Sequence, residues 1–265
     1  MSVIVGYAQF EPVYADPAAN RETMSAIAAA AGAFDLLVFP ELAVTGYELR
    51  DVVHARDLAE PFHGGPTTEW ARVLAVENGG SVVVGYVEKE NGVAHNSCVL
   101  ALPDGAVHNY RKIHLFSREK ELFAPGDIPP KVIDTPAGSI GIMICFDWIF
   151  PEVARSLALQ GAQIIAHPSN LVLPYCQRAM YARSVENRVF TITANRIGTE
   201  TQAGRSLTFT GASQILDPEG NTLAYGPTDV ADTMLVTIDA EAADNKSINE
   251  YNDLAKDRRP GLYDL

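Results

Sequence analysis

Three reactive side chains follow apolar segments of the sequence, and their types suit acid–base and nucleophilic chemistry. Cys145 ends the run GIMIC, Glu41 follows LLVFP, and Lys112 follows a segment that ends at Tyr110. Side chains at the carboxyl ends of strands lie where α/β folds bind ligands. A thiol can attack a carbonyl carbon, a carboxylate can take its proton, and an ammonium group can stabilise an oxyanion. Together they indicate nucleophilic catalysis by a cysteine.

Each of these residues has a simpler explanation when it is considered alone. A lone cysteine is more often a buried apolar side chain, a strand-end glutamate is more often solvated, and most lysines are surface charges. We expect apolar neighbours to disfavour the charged form of Glu41, which suits a general base. We also expect the helix that follows Cys145 to lower the pKa of its thiol through its first amides. Arg111, beside Lys112, is expected to form a structural ion pair.

Strand and helix patterns alternate along the chain and place the reactive residues at strand ends. Helices are predicted at 17–32, 67–78, 151–160 and 174–187. Strands are predicted at 3–9, 36–39, 81–88, 95–102, 106–110, 131–134, 139–145, 163–167, 189–195, 212–216, 222–225 and 234–238. Because no Ser/Gly-rich or Pro-rich linker divides the chain, we predict one α/β domain over residues 1–265, with two packed sheets that helices cover. The charged tail, about 240–265, is expected to pack on a partner subunit.

Composition and charge narrow the class of protein. The 265 residues are 47% hydrophobic and 20% charged, which is typical of a globular protein. The net charge of −13 disfavours nucleic acids and anionic membrane surfaces as partners. The three cysteines form no CxxC pair, the amino terminus lacks a signal-peptide pattern, and no apolar run approaches the ~20 residues that span a bilayer. We therefore expect a cytoplasmic protein with free thiols.

Motifs along essentially the whole chain carry a resemblance to a known family. They are GYAQF, PELAVTGY, NSC, YRKIHLF, FAPG, CFDWIFPE and RRPGLY. With them the sequence resembles the nitrilase (carbon–nitrogen hydrolase) superfamily, whose catalytic triad is Glu-Lys-Cys. The resemblance implies a four-layer αββα sandwich with two mixed sheets. It also implies a homodimer or a higher homo-oligomer, in which the helices at 151–160 and 174–187 would be contact elements.

The resemblance assigns a role to each reactive residue. Cys145 would be the nucleophile and Glu41 the general base. Lys112 and the backbone amide of Phe146 would stabilise the tetrahedral oxyanion. The reaction would cleave an amide through a cysteine thioester and would need no cofactor.

A second glutamate is also implied by the resemblance. Glu119, in SREKELFAPG, matches the family position that orients the substrate amide and orders the lysine. Glu121 is the alternative if the alignment is shifted by two residues. Either residue would be an exposed loop carboxylate if it had no such role.

Several further side chains are expected to line a small pocket for the substrate. Trp148 follows the nucleophile, and Asn170 lies at the end of another predicted strand. Tyr47 and Tyr175 are weaker candidates, because an aromatic residue in an α/β core is more often plain packing. All four remain expectations about substrate binding.

Two other catalytic classes find no support in the sequence. The six histidines show no HxxxH or HxxEH spacing, so we expect no metal site. There is no GxSxG motif, which disfavours a Ser/His/Asp hydrolase.

The substrate is the least determined property. Phe146-Asp147 follows the nucleophile where many nitrilases have Trp-Glu, which favours an amidase. We expect a short-chain aliphatic amidase that releases ammonia and a carboxylic acid. The alternatives are an omega-amidase that acts on dicarboxylate monoamides, an aliphatic nitrilase, and an N-carbamoyl amide hydrolase. A binding module without catalytic activity is a remote alternative, because all three triad residues are present.

Overall fold

One of the two main sheets contains both ends of the regular chain. A computed structural model describes residues 2–202 and 204–263, and in it this sheet has six strands in the order β14-β1-β2-β3-β4-β5. The pairs β1–β2 and β2–β3 are parallel, and the other pairs are antiparallel. The strands are β1 (Ser2–Gln9), β2 (Leu36–Val38), β3 (Ser81–Glu90), β4 (Val93–Ala101), β5 (Val107–Arg111) and β14 (Asp232–Asp239).

The second sheet also has six strands and is also mixed, with the order β13-β12-β9-β8-β7-β6. The pairs β7–β8 and β8–β9 are parallel, and the outer pairs are antiparallel. The strands are β6 (Val132–Thr135), β7 (Gly138–Ile142), β8 (Ile164–Pro168), β9 (Phe190–Ala194), β12 (Gln214–Leu216) and β13 (Thr222–Tyr225).

Helices cover the outer face of each sheet. The α-helices of the described residues are α1 (Pro17–Ala31), α2 (Val52–Asp57), α3 (Pro66–Asn78), α4 (Glu119–Leu122), α5 (Pro151–Leu159) and α6 (Cys176–Asn187). The Asp16 side chain accepts a hydrogen bond from the Ala19 amide, so it caps α1 in front of a favourable proline. Helices α1 and α3 pack through apolar side chains on the first sheet, and α5 and α6 pack on the second.

The two sheets face each other across one apolar layer. Side chains of β1, β2 and β3 share this layer with side chains of β7, β8 and β9, including Val5, Leu36, Val83, Ile164 and Ile192. These side chains are essentially inaccessible to solvent, so the layer is a true core. The predicted α/β fold with two mixed sheets and outer helices is confirmed.

The structure contains elements that were not predicted, among them the short helices α2 and α4, and one predicted strand ends early. A short hairpin, β10 (Thr199–Gln202) with β11 (Arg205–Thr208), was not predicted, because its polar residues carry no apolar alternation. The strand predicted at 139–145 ends at Ile142, and Cys145 begins a short 3-10 helix, Cys145–Ile149. The Asp147 carboxylate accepts a hydrogen bond from the Ile144 amide at 2.9 Å, which turns the chain out of the sheet.

The end of the chain is partly incorporated into the core. Residues Ala240–Asp244 form a 3-10 helix, and Ala240 and Ala243 are buried there. The predicted boundary of the tail therefore lies a few residues too early. Within residues 2–202 and 204–263, no helix combines the length and the apolar character that crossing a membrane would need.

Candidate active site

Loops at the carboxyl ends of several strands bring the reactive side chains together. Glu41 lies in the loop after β2, Lys112 directly after β5, and Cys145 beyond β7. Glu119 begins the short helix α4, and Asn170 lies just after β8. All five side chains are buried.

Lys112 is the centre of the cluster. Its side chain is fully buried, and its Nζ donates hydrogen bonds to Glu41 Oε1 at 2.6 Å and to Glu119 Oε1 at 2.7 Å. Burial alone would lower the pKa of Lys112, but the adjacent charges of Glu119 and Glu41 outweigh it and raise the pKa well above its usual range. The Lys112 side chain is therefore positively charged at neutral pH and inaccessible to solvent.

Glu41 is held through one of its two carboxylate oxygens. Asn96 on β4 donates from Nδ2 to Glu41 Oε1 at 2.7 Å, the same oxygen that Lys112 contacts. Glu41 Oε2 is buried and has no hydrogen-bond partner among the described residues. A buried carboxylate oxygen without a partner is costly in free energy, so it marks a place where a proton or substrate group fits.

The loop of Glu41 lies directly against β3. A side-chain carbon at Gly85 would come within 2.6 Å of the Glu41 Cα and 2.4 Å of the Leu42 backbone nitrogen. The Gly85 amide also donates to the Pro40 carbonyl at 3.1 Å. Only glycine allows this close approach, which fixes the loop and its carboxylate on the sheet.

Glu119, and not Glu121, is the buried second carboxylate. Its Oε1 accepts from Lys112 and from the Tyr47 hydroxyl, the latter at 2.7 Å, and its Oε2 accepts from the Phe116 amide at 3.1 Å. Burial raises the pKa of Glu119 to about 7, although the charge of Lys112 opposes the shift. Glu121 is exposed and pairs with Arg118. The carboxyl of Glu119 can thus hold or release a proton near neutral pH.

Cys145 has an unusual backbone and a protonated thiol. Its φ of +40° is in the left-handed region that side-chain-bearing residues rarely adopt. Burial raises the pKa of the thiol well above its usual range, and the charge of Glu41 adds to the rise, against the lowering effects of Lys112 and of a hydrogen bond from the Asn170 backbone. The expected lowering of this pKa by helix amides is therefore wrong. A base must remove the thiol proton before attack.

A narrow apolar cleft opens beside the thiol. It has a volume of about 10 Å³, room for roughly one water molecule. Phe146 is one of the residues that line the cleft, and its amide precedes by one residue the amide of Asp147, which makes the first hydrogen bond of the 3-10 helix. The Phe146 amide is consequently not used within the helix. The residues that line the cleft are Phe116, Cys145, Phe146, Trp148, Asn170, Leu171, Val172 and Leu173.

The four predicted pocket residues have different positions. Trp148 and Asn170 line the cleft, and Asn170 also donates from Nδ2 to the backbone carbonyl of Glu41 at 2.9 Å. Tyr47 instead bonds Glu119 through its hydroxyl. Tyr175 is 43% exposed, and its ring packs edge-on against Trp148 at 5.9 Å between centroids. The latter two therefore contact residues of the site and are not among those that line the cleft.

One residue that sequence reasoning missed holds together the segments that carry Lys112 and Cys145. Asp147 is fully buried and accepts hydrogen bonds from the Ile144 amide, the Tyr110 hydroxyl and the His114 amide. Its position two residues after Cys145 is a signal that was available in the sequence. Arg111 forms the expected ion pair, with Glu88 at 2.6 Å.

Glu200 of the β10–β11 hairpin supports the loop that follows Glu41. Its carboxylate accepts from the amides of Tyr47 and Glu48, at 3.0 and 2.7 Å to Oε2. It is also paired with buried Arg196. No local sequence signal links Glu200 to a loop about 150 residues earlier, so only the fold reveals this contact.

The described residues contain no cluster of three or more His, Cys, Asp or Glu side chains that could hold a metal ion. The groups that the site brings together are the thiol of Cys145, the carboxylates of Glu41 and Glu119, and the ammonium group of Lys112.

Comparison with known proteins identifies the family. The family model described as carbon-nitrogen hydrolase matches residues 4–246. A protein named nitrilase from Pyrococcus abyssi is 42% identical over 264 residues, which cover 98% of this chain and 99% of that protein. An (R)-stereoselective amidase from Pseudomonas sp. is 35% identical over 241 residues, which cover 89% and 84% of the two chains.

A solved structure gives the same result for the fold. It is a mutant of the amidase from Nesterenkonia sp. AN1, in which acrylamide has added to the active-site cysteine. It superposes with a TM-score of 0.82 at 26% identity and covers 98% of each chain. The chain described here belongs to the carbon–nitrogen hydrolase family, the nitrilase superfamily.

Proposed function

We propose that the protein is an amidase that hydrolyses small aliphatic amides to a carboxylic acid and ammonia through a thioester on Cys145. The observation that carries the proposal is the buried Glu41 Oε2, which has no hydrogen-bond partner among the described residues and belongs to the carboxylate that Lys112 contacts. A protonated thiol with a raised pKa needs such a base.

Acylation begins when Glu41 takes the thiol proton and the sulfur attacks the carbonyl carbon. A C–S bond forms, and the carbonyl electron pair moves to the oxygen, where Lys112 Nζ and the Phe146 amide stabilise the negative charge. Such a donor is commonly worth about 3–4 kcal/mol in the transition state. The oxyanion then collapses, the C–N bond breaks, and the Glu41 carboxyl returns its proton to the leaving nitrogen, so ammonia departs.

Deacylation repeats these proton transfers with water. Glu41 takes a proton from the water as its oxygen attacks the thioester carbon, and the C–S bond breaks as the oxyanion collapses. The thiolate regains the proton, and the carboxylic acid is released. Glu119 orients the lysine and, in this proposal, the amide nitrogen.

The small acyl group in the proposal follows from the cleft. The residues that line it are apolar or neutral, so they provide no charge for the carboxylate of a dicarboxylate monoamide. Arg183 is committed elsewhere, because its Nε donates to the Trp148 carbonyl at 2.9 Å and its Nη1 pairs with Glu186. The amidase names of two similar proteins support the same reaction.

An aliphatic nitrilase is the second candidate, favoured by the 42% identity to the protein named nitrilase from Pyrococcus abyssi. Ammonia release from propionamide, propionitrile, a dicarboxylate monoamide and an N-carbamoyl amino acid separates the alternatives. We expect turnover of propionamide above the other three. Turnover of the nitrile alone, or of the carbamoyl compound alone, would replace the proposal with that alternative.

Variants of the cluster test the thioester route. Cys145→Ala and Glu41→Gln are expected to lower kcat by a factor on the order of 10³ or more, and Lys112→Met by ~10²–10³. Cys176→Ala, which removes another buried thiol that is not among the cleft residues, is the matched control and should retain activity. Turnover that persists in Cys145→Ala would exclude the thioester.

A further inference from the structure

One buried titratable residue beside the nucleophile has no part in the proposed reaction. His167 lies in β8, is inaccessible to solvent, and its Nε2 is 3.0 Å from the backbone carbonyl oxygen of Cys145. Its Nδ1 is 3.1 Å from the Thr193 hydroxyl, and Ser169 Oγ is 3.1 Å from Nε2. The ring therefore contacts the chain segment of the nucleophile and strand β9 together.

These contacts fix the tautomer of the ring. A carbonyl oxygen can only accept, so Nε2 must carry the hydrogen that bonds Cys145. Nδ1 is then the acceptor for the Thr193 hydroxyl. Burial lowers the pKa of His167 to about 4, so the ring is neutral near neutral pH and carries this single hydrogen.

The bonded carbonyl belongs to the strained residue of the site. Cys145 has a φ of +40°. Such a sparsely populated backbone conformation costs a side-chain-bearing residue about 1–3 kcal/mol, and it persists only where the surrounding structure holds it. The last backbone contact between the two segments is the Met143 amide bonded to the Ala166 carbonyl at 3.1 Å. Beyond Met143 the chain leaves the sheet. There the His167 ring bonds the Cys145 carbonyl, in place of a backbone hydrogen bond between the two strands.

We propose that His167 is a positioning residue that holds Cys145 in its left-handed conformation and thereby aims the thiol at the substrate carbonyl. The inference rests on the proposed function, since it takes Cys145 as the nucleophile. His167 acts through one hydrogen bond from its neutral ring, so this role does not require a charged imidazole. A histidine that merely filled space would have no effect on the direction of the thiol.

Two polar substitutions of similar character test the position of the hydrogen-bond donor. His167→Gln can place an N–H where Nε2 was, whereas His167→Asn reaches only the position of Nδ1. We expect the asparagine variant to lose about tenfold to a hundredfold in kcat with little change in KM, the size of effect that follows misplacement of a reacting group. The glutamine variant should recover most of this loss. His54→Gln, at another buried histidine far along the chain in α2, is the matched control and should behave as the parent protein.

A second measurement reads the thiol without amide turnover. The rate of Cys145 alkylation by iodoacetamide, followed by mass spectrometry of the peptide, should fall about tenfold in the asparagine variant and little in the glutamine variant. Equal alkylation and equal kcat in the two variants would overturn the inference, as would equal losses in both. If amide turnover is absent in the parent protein but the alkylation rates still differ, the proposed function fails and the positioning role stands.

Discussion

Glu119 is the residue whose protonation links the site to the stability of the fold. Its pKa is about 7 in the folded protein, against an ordinary value of 4.5. Between these values the folded chain keeps a proton that the unfolded chain has lost, so the free energy of unfolding falls as pH rises through this interval. The contribution is complete below about 4.5 and is lost above about 7.

We predict that Glu119→Gln flattens this part of the pH dependence, because glutamine stays neutral. The measurement is the change in Tm between about pH 5 and about pH 8, which should be smaller in the variant than in the parent protein. Glu121→Gln is the control, since that carboxylate is exposed. If both variants keep the parent dependence, Glu119 does not titrate in this range.

At this scale, the sequence indicates which residues are reactive but not how they are oriented. Glu41, Lys112 and Cys145 each follow a recognisable apolar segment, but it was the resemblance to the family that predicted their meeting, since they follow strands of two different sheets. The role of Tyr47 could not, because its hydrogen bond to Glu119 joins segments 72 residues apart. The left-handed φ of Cys145 likewise has no local sequence pattern that would predict it.

Among the elements, the β10–β11 hairpin has a clear supporting function. Glu200 accepts hydrogen bonds from the amides of Tyr47 and Glu48 and pairs with Arg196, whose guanidinium lies 4.1 Å from the centre of the Phe209 ring. That ring packs edge-on against Tyr47 at 5.9 Å. The hairpin therefore holds the residue that orients Glu119.

We predict that Glu200→Ala destabilises the protein by about 3–5 kcal/mol, because it leaves Arg196 buried without its charge partner. The amides of residues 46–48 should exchange with deuterium faster, and kcat should fall as Tyr47 and Glu119 lose their alignment. Chemical denaturation and hydrogen-exchange mass spectrometry measure these effects. Thr201→Ala, on the exposed side of the same strand, should change neither. If hydrogen exchange at residues 46–48 is unchanged in Glu200→Ala, the conformation of this loop does not depend on Glu200.

The elements that could be predicted are those with an apolar periodicity. The predicted helices at 17–32 and 67–78 and the central strands agree with the structure within a few residues. The β10–β11 hairpin lacks that signal, because charged side chains such as Glu200 and Arg205 make its contacts with the loop that follows Glu41. The end of β7 was misplaced because GIMIC stays apolar while its last residues leave the sheet.

For the molecule as a whole, we propose a homodimer. Several large apolar side chains on the second-sheet side and in the tail are exposed in the single chain, namely Ile149, Leu159, Tyr181, Tyr251 and Leu262. Exposed apolar patches commonly mark protein–protein interfaces, and we propose that these side chains lie in one. Sedimentation equilibrium should give twice the 28.6 kDa of one chain, and Leu159→Arg should shift the protein toward one chain. A parent protein of 28.6 kDa at all concentrations would contradict the proposal.

The shared layer between the two sheets determines how the chain unfolds. Ile192 in β9 is fully buried in that layer, which also contains side chains of β1 and β2, so neither sheet can expose its inner face without the other. We predict a single cooperative transition in denaturant, with coincident midpoints when it is monitored by circular dichroism and by intrinsic fluorescence.

Ile192→Ala should lower the free energy of unfolding by about 2–5 kcal/mol and keep one transition. Ile248→Ala, at an exposed isoleucine of the tail, should change it by less than about 0.5 kcal/mol. Two separate transitions would mean that the sheets fold as independent units and that the chain is not one domain.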